Sequence, residues 1–125
     1  MNPQQEVFNL CRSVALKVFG NVYTSRPLTE VEYPFCEISE QQTVEQANKS
    51  TVIPTIFQTF HIFADNKKQG TARKLANDIK TKLRESKNTK HYYIGIKNIR
   101  ERTLQDNTTS TPLFHIVMEV EFILY

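Results

Sequence analysis

Two histidines and two glutamates are the side chains of this chain with the clearest potential for chemistry. His61 and His115 lie in segments that read as strands, and Glu119 and Glu121 follow His115 at alternate positions. If the two strands are neighbours, all four side chains share one face of a sheet, and two imidazoles with two carboxylates can bind a transition metal. Neither histidine has a second ligand at a local spacing, and a strand face covered by water or another chain gives the same pattern. We therefore expect no metal and no cofactor.

The same residues offer little to an enzyme. Glu119 and Glu121 could act as an acid and base pair only in a cleft that raises the pKa of one of them. Cys11 has no histidine nearby in sequence, and we expect Cys11 and Cys36 to be reduced and to pack as small hydrophobic residues. With three glycines and no GxSxG turn, the chain also lacks a phosphate-binding loop and a nucleophile elbow. The sequence predicts no catalytic activity.

Two amphipathic helices and four strands must position these residues. Asn2 and Pro3 favour the start of a first helix over about residues 4–19, and a second helix follows residue 66 and ends near residue 85. Residues 35–39, 52–64 and 91–102 read as strands. The last strand is the most regular, because one side of it is wholly apolar: Phe114, Ile116, Met118, Val120, Phe122 and Leu124.

This order of elements, α-β-β-α-β-β, predicts a single α+β domain over residues 1–125. We expect one antiparallel sheet of about four strands, with both helices packed on one face. The other face of the last strand mixes polar and apolar residues, so we expect a partner subunit to cover it. The predicted subunit interface comprises His115, Val117, Glu119, Glu121, Ile123 and His61.

A polar segment separates the first two predicted strands. Residues 40–51 contain one large apolar residue, Val44, and this composition cannot bury enough surface to order itself. A strand that continues along an edge is the other interpretation. We favour a long hairpin with a flexible tip.

Charge is divided unevenly along the chain. The net charge is +3, but residues 65–102 hold twelve Lys or Arg against four acidic residues. Such a split is typical of nucleic-acid contact, of complementary subunit surfaces or of a solvated helix face. The predicted basic face comprises Lys67, Lys68, Arg73, Lys74 and Lys80. No run of about 18 apolar residues occurs, so no membrane span is expected.

Four segments carry a resemblance to a known family: YPFCEISE, TFHIFADNKKQGTARKLANDIKTKL, RTLQD and HIVMEVEFIL. The chain resembles the tail terminator, or tail-to-head joining, proteins of long-tailed bacteriophages, also described as tail completion or minor capsid proteins. The family pattern falls on residues 34–38, 60–65 and 72–83 and on Arg102 with Asp106. The resemblance extends over residues 4–124 and rests on pattern, without a catalytic signature.

The resemblance implies a structural virion protein without catalysis. Such subunits form a homo-oligomeric ring, usually a hexamer, that ends tail-tube polymerisation and joins the tail to the head connector. The implied partners are further copies, the tail-tube protein and the head-completion or connector protein, with non-specific contact to passing DNA. The protein would be made in the host bacterial cytoplasm and reside in the virion, at the head–tail interface. Within the hairpin, Gln41, Gln42, Val44 and Glu45 would form a loop that docks on these partners.

A second class of function stays open. A small α+β adaptor or nucleic-acid-binding module could use the basic second helix as its contact surface. That function requires the basic side chains to form one free patch on a monomer, with affinity that depends strongly on salt.

Overall fold

The protein, represented by a computed structural model, is described over residues 2–47, 52–107 and 112–125. This part of the chain contains two α-helices and five strands. In order they are α1 (Pro3–Val18), β1 (Val22–Tyr23), β2 (Phe35–Ala47), β3 (Val52–Asp65), α2 (Gln69–Glu85), β4 (Ile94–Asp106) and β5 (Leu113–Leu124).

The five strands form one mixed sheet in the order β1-β2-β3-β5-β4. The four long strands pair antiparallel, as expected, whereas β1 pairs parallel to β2. The prediction of about four antiparallel strands in the order α-β-β-α-β-β is therefore wrong in one respect. The two-residue strand β1 is too short to leave a periodic pattern, so the observed order is α-β-β-β-α-β-β.

Both helices pack on one face of this sheet, as the sequence predicts. The Asn2 side chain accepts the Gln5 N–H at 3.0 Å, and Pro3 begins α1. A 3-10 turn, Asn66–Lys68, precedes α2, and the Asp65 carboxylate accepts the Lys67 N–H at 2.9 Å. These side-chain caps mark the starts of α1 and of the 3-10 turn, whereas α2 itself begins at Gln69 without a side-chain cap.

The main core lies between the helices and the sheet. All six apolar residues predicted for the inner side of β5 are buried there, together with Ala72, Ala76, Ile79 and Leu83 of α2. Cys11 of α1 and Cys36 of β2 belong to the same core, and both are free. Burial raises the pKa of each thiol, which suits the expected role as small hydrophobic residues.

The hairpin of β2 and β3 is longer than the sequence suggested. Residues 40–47 continue β2, and pairing with β3 extends to the Ala47–Val52 pair, with a register shift between Ile38 and Gln41. Residues 48–51 lie outside the described part of the chain. The flexibility predicted for residues 40–51 stays a prediction.

Strand β4 is shifted from its predicted range. It spans Ile94–Asp106 instead of residues 91–102, because it pairs with β5 along its whole length. Apart from Leu104, residues 103–106 are polar, so no apolar alternation marked them as a strand.

Candidate functional site: the open face of the sheet

The side of the sheet opposite the helices, called here the open face, carries the predicted interface residues. The register places His61 of β3 beside Val117 of β5, Thr59 beside Glu119, and Thr55 beside Ile123. On the other side of β5, Arg102 of β4 faces Val117, and Arg100 faces Glu119. The six predicted interface residues therefore share one surface, as the alternation in β5 indicated.

Three polar side chains form a linear hydrogen-bonded chain on this face. His61 Nδ1 lies 2.9 Å from His115 Nε2, and His61 Nε2 lies 2.6 Å from Glu40 Oε1. An ionised carboxylate only accepts hydrogen bonds, so His61 Nε2 must carry a hydrogen. In the neutral pair, His115 Nε2–H then donates to His61 Nδ1. Both rings are thereby held in one tautomer and one orientation.

In this hydrogen-bonded group, His115 is a histidine whose pKa is strongly shifted. Its residue is 8% exposed, and its ring stacks on Phe63 with centroids 4.1 Å apart. Burial lowers the pKa of His115 to about 4, and His61 and Arg26 add to this effect against the opposing charges of Asp106 and Glu37. The imidazole is therefore neutral near pH 7.

A strap of residues 24–34 covers one end of the open face. Arg26 Nε donates to Glu37 Oε1 at 2.7 Å, and its guanidinium lies 4.3 Å from the centre of the Phe63 ring. Burial opposes ionisation of Glu37, but the hydrogen bonds from Arg26 and Ser39 hold the pKa of this carboxyl below its ordinary value. Phe35 stacks on Phe63 at 4.9 Å beneath the strap. The chain itself therefore partly covers this end of the face.

Within residues 2–47, 52–107 and 112–125, no element covers the middle of the open face, which is mixed in chemistry. Arg100 and Glu119 form an ion pair, and they line a depression of about 320 Å³ together with Glu40, Arg102 and Val117. Val117 is only partly buried, as is Ile123 further along β5. Apolar side chains with a charged rim are typical of protein interfaces.

The four residues considered for a metal are not brought together. His61 and His115 touch, but Glu119 pairs with Arg100, and Glu121 lies beside Phe57 and Asn98. Within residues 2–47, 52–107 and 112–125, no cluster of three or more His, Cys, Asp or Glu is arranged to hold a metal ion.

The sequence did not indicate that Glu40 contacts His61 or that Arg26 lies over the Phe63 ring. Glu40 reaches His61 because the register shift after Ile38 returns its side chain to the open face. A shift of this kind leaves no mark in a polar sequence. Arg26 lies in an irregular segment whose path over the sheet no periodicity could give.

The predicted docking loop is divided between the two faces of the sheet. The Gln41 amide donates to the Gln4 carbonyl of α1 and to Gln58 Oε1, both at 3.0 Å, so Gln41 holds the hairpin to the core. Gln42 and Val44 lie on the open face, where each is exposed, and Glu45 is exposed as well. Three of the four residues are therefore accessible.

The predicted basic face is also divided. Lys67 and Lys68 are exposed, whereas Arg73 lies over the Phe114 ring at 4.9 Å and Lys74 pairs with Asp78 at 3.2 Å. Lys80 forms an ion pair with Glu101 of β4, and its side chain is 17% exposed. Lys80 therefore does not belong to a solvated helix face, because its ammonium group reaches back to the sheet.

The fold defines an α+β protein with a five-stranded mixed sheet under two helices. It is shared with a chain of a solved particle, "Virion of native gene transfer agent (GTA) particle", at a TM-score of 0.65 and 12% sequence identity. The match covers 98% of this chain and 95% of that one. No protein-family model and no curated protein matches the chain. Of the described helices, none is long and apolar enough to cross a bilayer.

Proposed function

We propose that this chain is a structural virion protein, and specifically a tail terminator or tail-to-head joining subunit. In this proposal, copies of the chain assemble into a closed ring, with six as the expected number. The ring ends tail-tube polymerisation and presents a surface to the head connector. No step of this function requires catalysis, a metal or a cofactor.

One observation carries the proposal. The fold matches a chain of a virion particle over 98% of this chain and 95% of that one. The sequence pattern points independently to the tail terminator family through residues 34–38, 60–65 and 72–83, Arg102 and Asp106. Two separate lines of reasoning therefore support a virion component.

The open face supplies the surface that a ring subunit needs. Val117 and Ile123 are partly buried, and no element of the described part of the chain covers them. Arg100, Arg102 and Glu119 line the same depression as Val117. A neighbouring subunit that covers these residues gains apolar burial at the centre and charge complementarity at the rim. In a closed ring, the contact is heterologous, so this face meets a different surface of the next subunit.

The remaining partners follow from the same proposal. The tail-tube protein lies on one side of the ring and the head-completion or connector protein on the other. Gln42, Val44 and Glu45 of the long hairpin are exposed and available to one of them. DNA would pass through the ring without sequence recognition, through contacts to its phosphates. The protein would be made in the bacterial cytoplasm and reside at the head–tail interface of the virion.

The adaptor or nucleic-acid-binding alternative through α2 has less support. It requires a free basic patch, and three of its five predicted residues, Arg73, Lys74 and Lys80, already contact Phe114, Asp78 and Glu101. If the open-face substitutions described next leave particle assembly unchanged, this alternative gains support.

The test uses particles assembled with variant subunits. Val117→Asp should leave a folded subunit that cannot terminate tails, so electron micrographs should show overlong tubes without heads. Ile123→Asp repeats the test at a second position of the open face. Leu16→Asp is the matched control, because Leu16 is 45% exposed on α1. Normal particles with both open-face variants would overturn the proposal, and so would defective particles with Lys74→Glu alone.

A further inference from the structure

We propose that Leu28, on the strap of one copy, docks in the depression on the open face of the next copy, against Val117. The inference rests on the ring proposed above, and it names the segment of the neighbouring subunit that covers the open face. Two surfaces of the chain carry it: the strap of residues 24–34 with Leu28 and Glu30, and the depression with Val117 and Arg102.

Leu28 is the most exposed large apolar residue of the described part of the chain. It is 101% exposed, against 75% for Tyr125 and 45% for Leu16, so no part of its own sheet covers it. A single exposed apolar side chain is common on monomeric proteins, and exposure alone therefore decides little. The anchoring of the strap and the charges beside Leu28 give the exposure its meaning.

Contacts on both sides of Leu28 hold the strap to the sheet. Before it in the chain, Arg26 Nε donates to Glu37 Oε1 at 2.7 Å, and the guanidinium lies 4.3 Å from the centre of the Phe63 ring. After it, Val31 packs against the buried cluster that contains Phe63. A side chain that projects from a segment anchored in this way loses little conformational entropy on binding, because the backbone is already ordered.

The depression offers room and an apolar contact for one side chain. Its volume is about 320 Å³, and a cavity of about 150 Å³ is enough to hold a benzene molecule. Val117 is the apolar residue of its lining and is partly buried, although no element of the described chain covers it. A leucine that enters the depression therefore meets an apolar partner inside a charged rim, as is typical of protein interfaces.

The charges beside Leu28 complement those of the depression. The three acidic residues of the lining already have partners within the chain: Glu40 contacts His61, Glu101 pairs with Lys80, and Glu119 pairs with Arg100. Within the described residues, Arg102 forms no ion pair and is exposed. Glu30, two residues after Leu28, is likewise exposed and without an ion pair in that part of the chain. Docking brings these opposite charges together at the rim.

This complementarity lies within a single sequence, and it therefore favours a second copy of the chain as the occupant. The strap supplies the apolar group with an acidic residue beside it, and the depression supplies the apolar surface with an unpaired arginine. Each copy can thus offer its strap to one neighbour and its depression to the other. A contact between two different surfaces is the heterologous kind that a closed ring repeats.

Chemical cross-linking tests the contact directly. Leu28→Cys and Val117→Cys are made in separate full-length chains of different mass, mixed, and treated with a short bismaleimide. Cys11 and Cys36 are buried, and burial raises the pKa of both thiols, so the parent chain should not react. The mixture should give a covalent pair with one copy of each variant. Leu16→Cys mixed with Val117→Cys is the matched control and should give none; a yield no higher than this control would overturn the inference.

Charge reversal tests the rim of the contact by a second route. Glu30→Arg should raise the concentration at which the oligomer forms roughly tenfold in native mass spectrometry, because it places two like charges together. Adding Arg102→Glu to the same chain should restore assembly. Glu85→Arg is the control, since it makes the same change in charge at an exposed residue at the end of α2. A double variant that assembles no better than Glu30→Arg alone would contradict the pairing.

Leu28→Asp separates this inference from the ring itself. The substitution removes a buried leucine from the contact, so it should raise the concentration for assembly by roughly tenfold or more. Because Leu28 is fully exposed in the single chain, the circular dichroism of the variant should match that of the parent. If Leu28→Asp assembles like the parent and Val117→Asp does not, the ring through the open face stands and the strap contact is wrong. If the parent chain stays monomeric, the ring is wrong and this inference with it.

Discussion

Acidification should destabilise the fold through His115 well before the carboxylates titrate. The pKa of His115 is about 4 in the folded protein, against about 6.5 in an unfolded chain. Between these values the unfolded chain binds a proton that the native chain does not, so stability falls as the pH falls. Above about pH 6.5, neutral His115 makes its full contribution to the free energy of unfolding. Below about pH 4, this residue causes no further loss of that free energy.

The magnitude follows from the difference between the two pKa values. Each unit corresponds to about 1.4 kcal/mol, so the whole interval is worth at most about 3 kcal/mol. From pH 7.5 to pH 5, the expected loss is about 2 kcal/mol. A domain of this size has a free energy of unfolding on the order of 10 kcal/mol, so a change of this size is measurable.

The assay is urea unfolding followed by circular dichroism at several pH values, for the parent chain and for His115→Gln. A glutamine amide can still donate to His61 Nδ1, but it cannot be protonated in this range. The loss of about 2 kcal/mol should therefore disappear in the variant. If parent and variant lose stability in parallel between pH 7.5 and pH 5, His115 is not held neutral by its surroundings and the reasoning fails.

Two further predictions concern single ion pairs. Arg26→Ala should lower the free energy of unfolding by about 2 kcal/mol and raise the pKa of Glu37. The reason is that the Glu37 carboxylate, whose side chain is 8% exposed, loses its main partner. Full stability in this variant would show that the strap does not depend on the ion pair. Lys80→Glu should cost about 2 kcal/mol because it opposes Glu101 in a partly buried contact, whereas Lys74→Glu should cost at most about 1 kcal/mol at a side chain that is 76% exposed. Equal unfolding midpoints for the two lysine variants in thermal melts would contradict the difference in burial.

The elements with a strong apolar period were predictable from the sequence. Both helices, the alternation of β5 and the placement of His61 and His115 on the same face all follow from spacing alone. The extension of β2 through residues 40–47 was not predictable in this way. Its side chains are mostly polar, and its order comes from pairing with β3 and from the contacts of Gln41.

The details of the open face depend on contacts between distant segments. Glu40 meets His61 through a local register shift, and Arg26 meets Glu37 across an irregular strap. A one-dimensional pattern gives the face of a residue on its own strand, but not its partner on another element.

The mass of the assembled species tests the central claim most directly, namely that the open face is the interface of a ring. Native mass spectrometry of the purified chain at increasing concentration should show one closed oligomer. Six copies of the 14.6 kDa chain give about 88 kDa. Val117→Asp should remain monomeric at every concentration while retaining the circular dichroism of the parent chain, and Leu16→Asp should assemble normally. A parent chain that stays monomeric throughout, or a Val117→Asp variant that forms the same oligomer, would contradict the account.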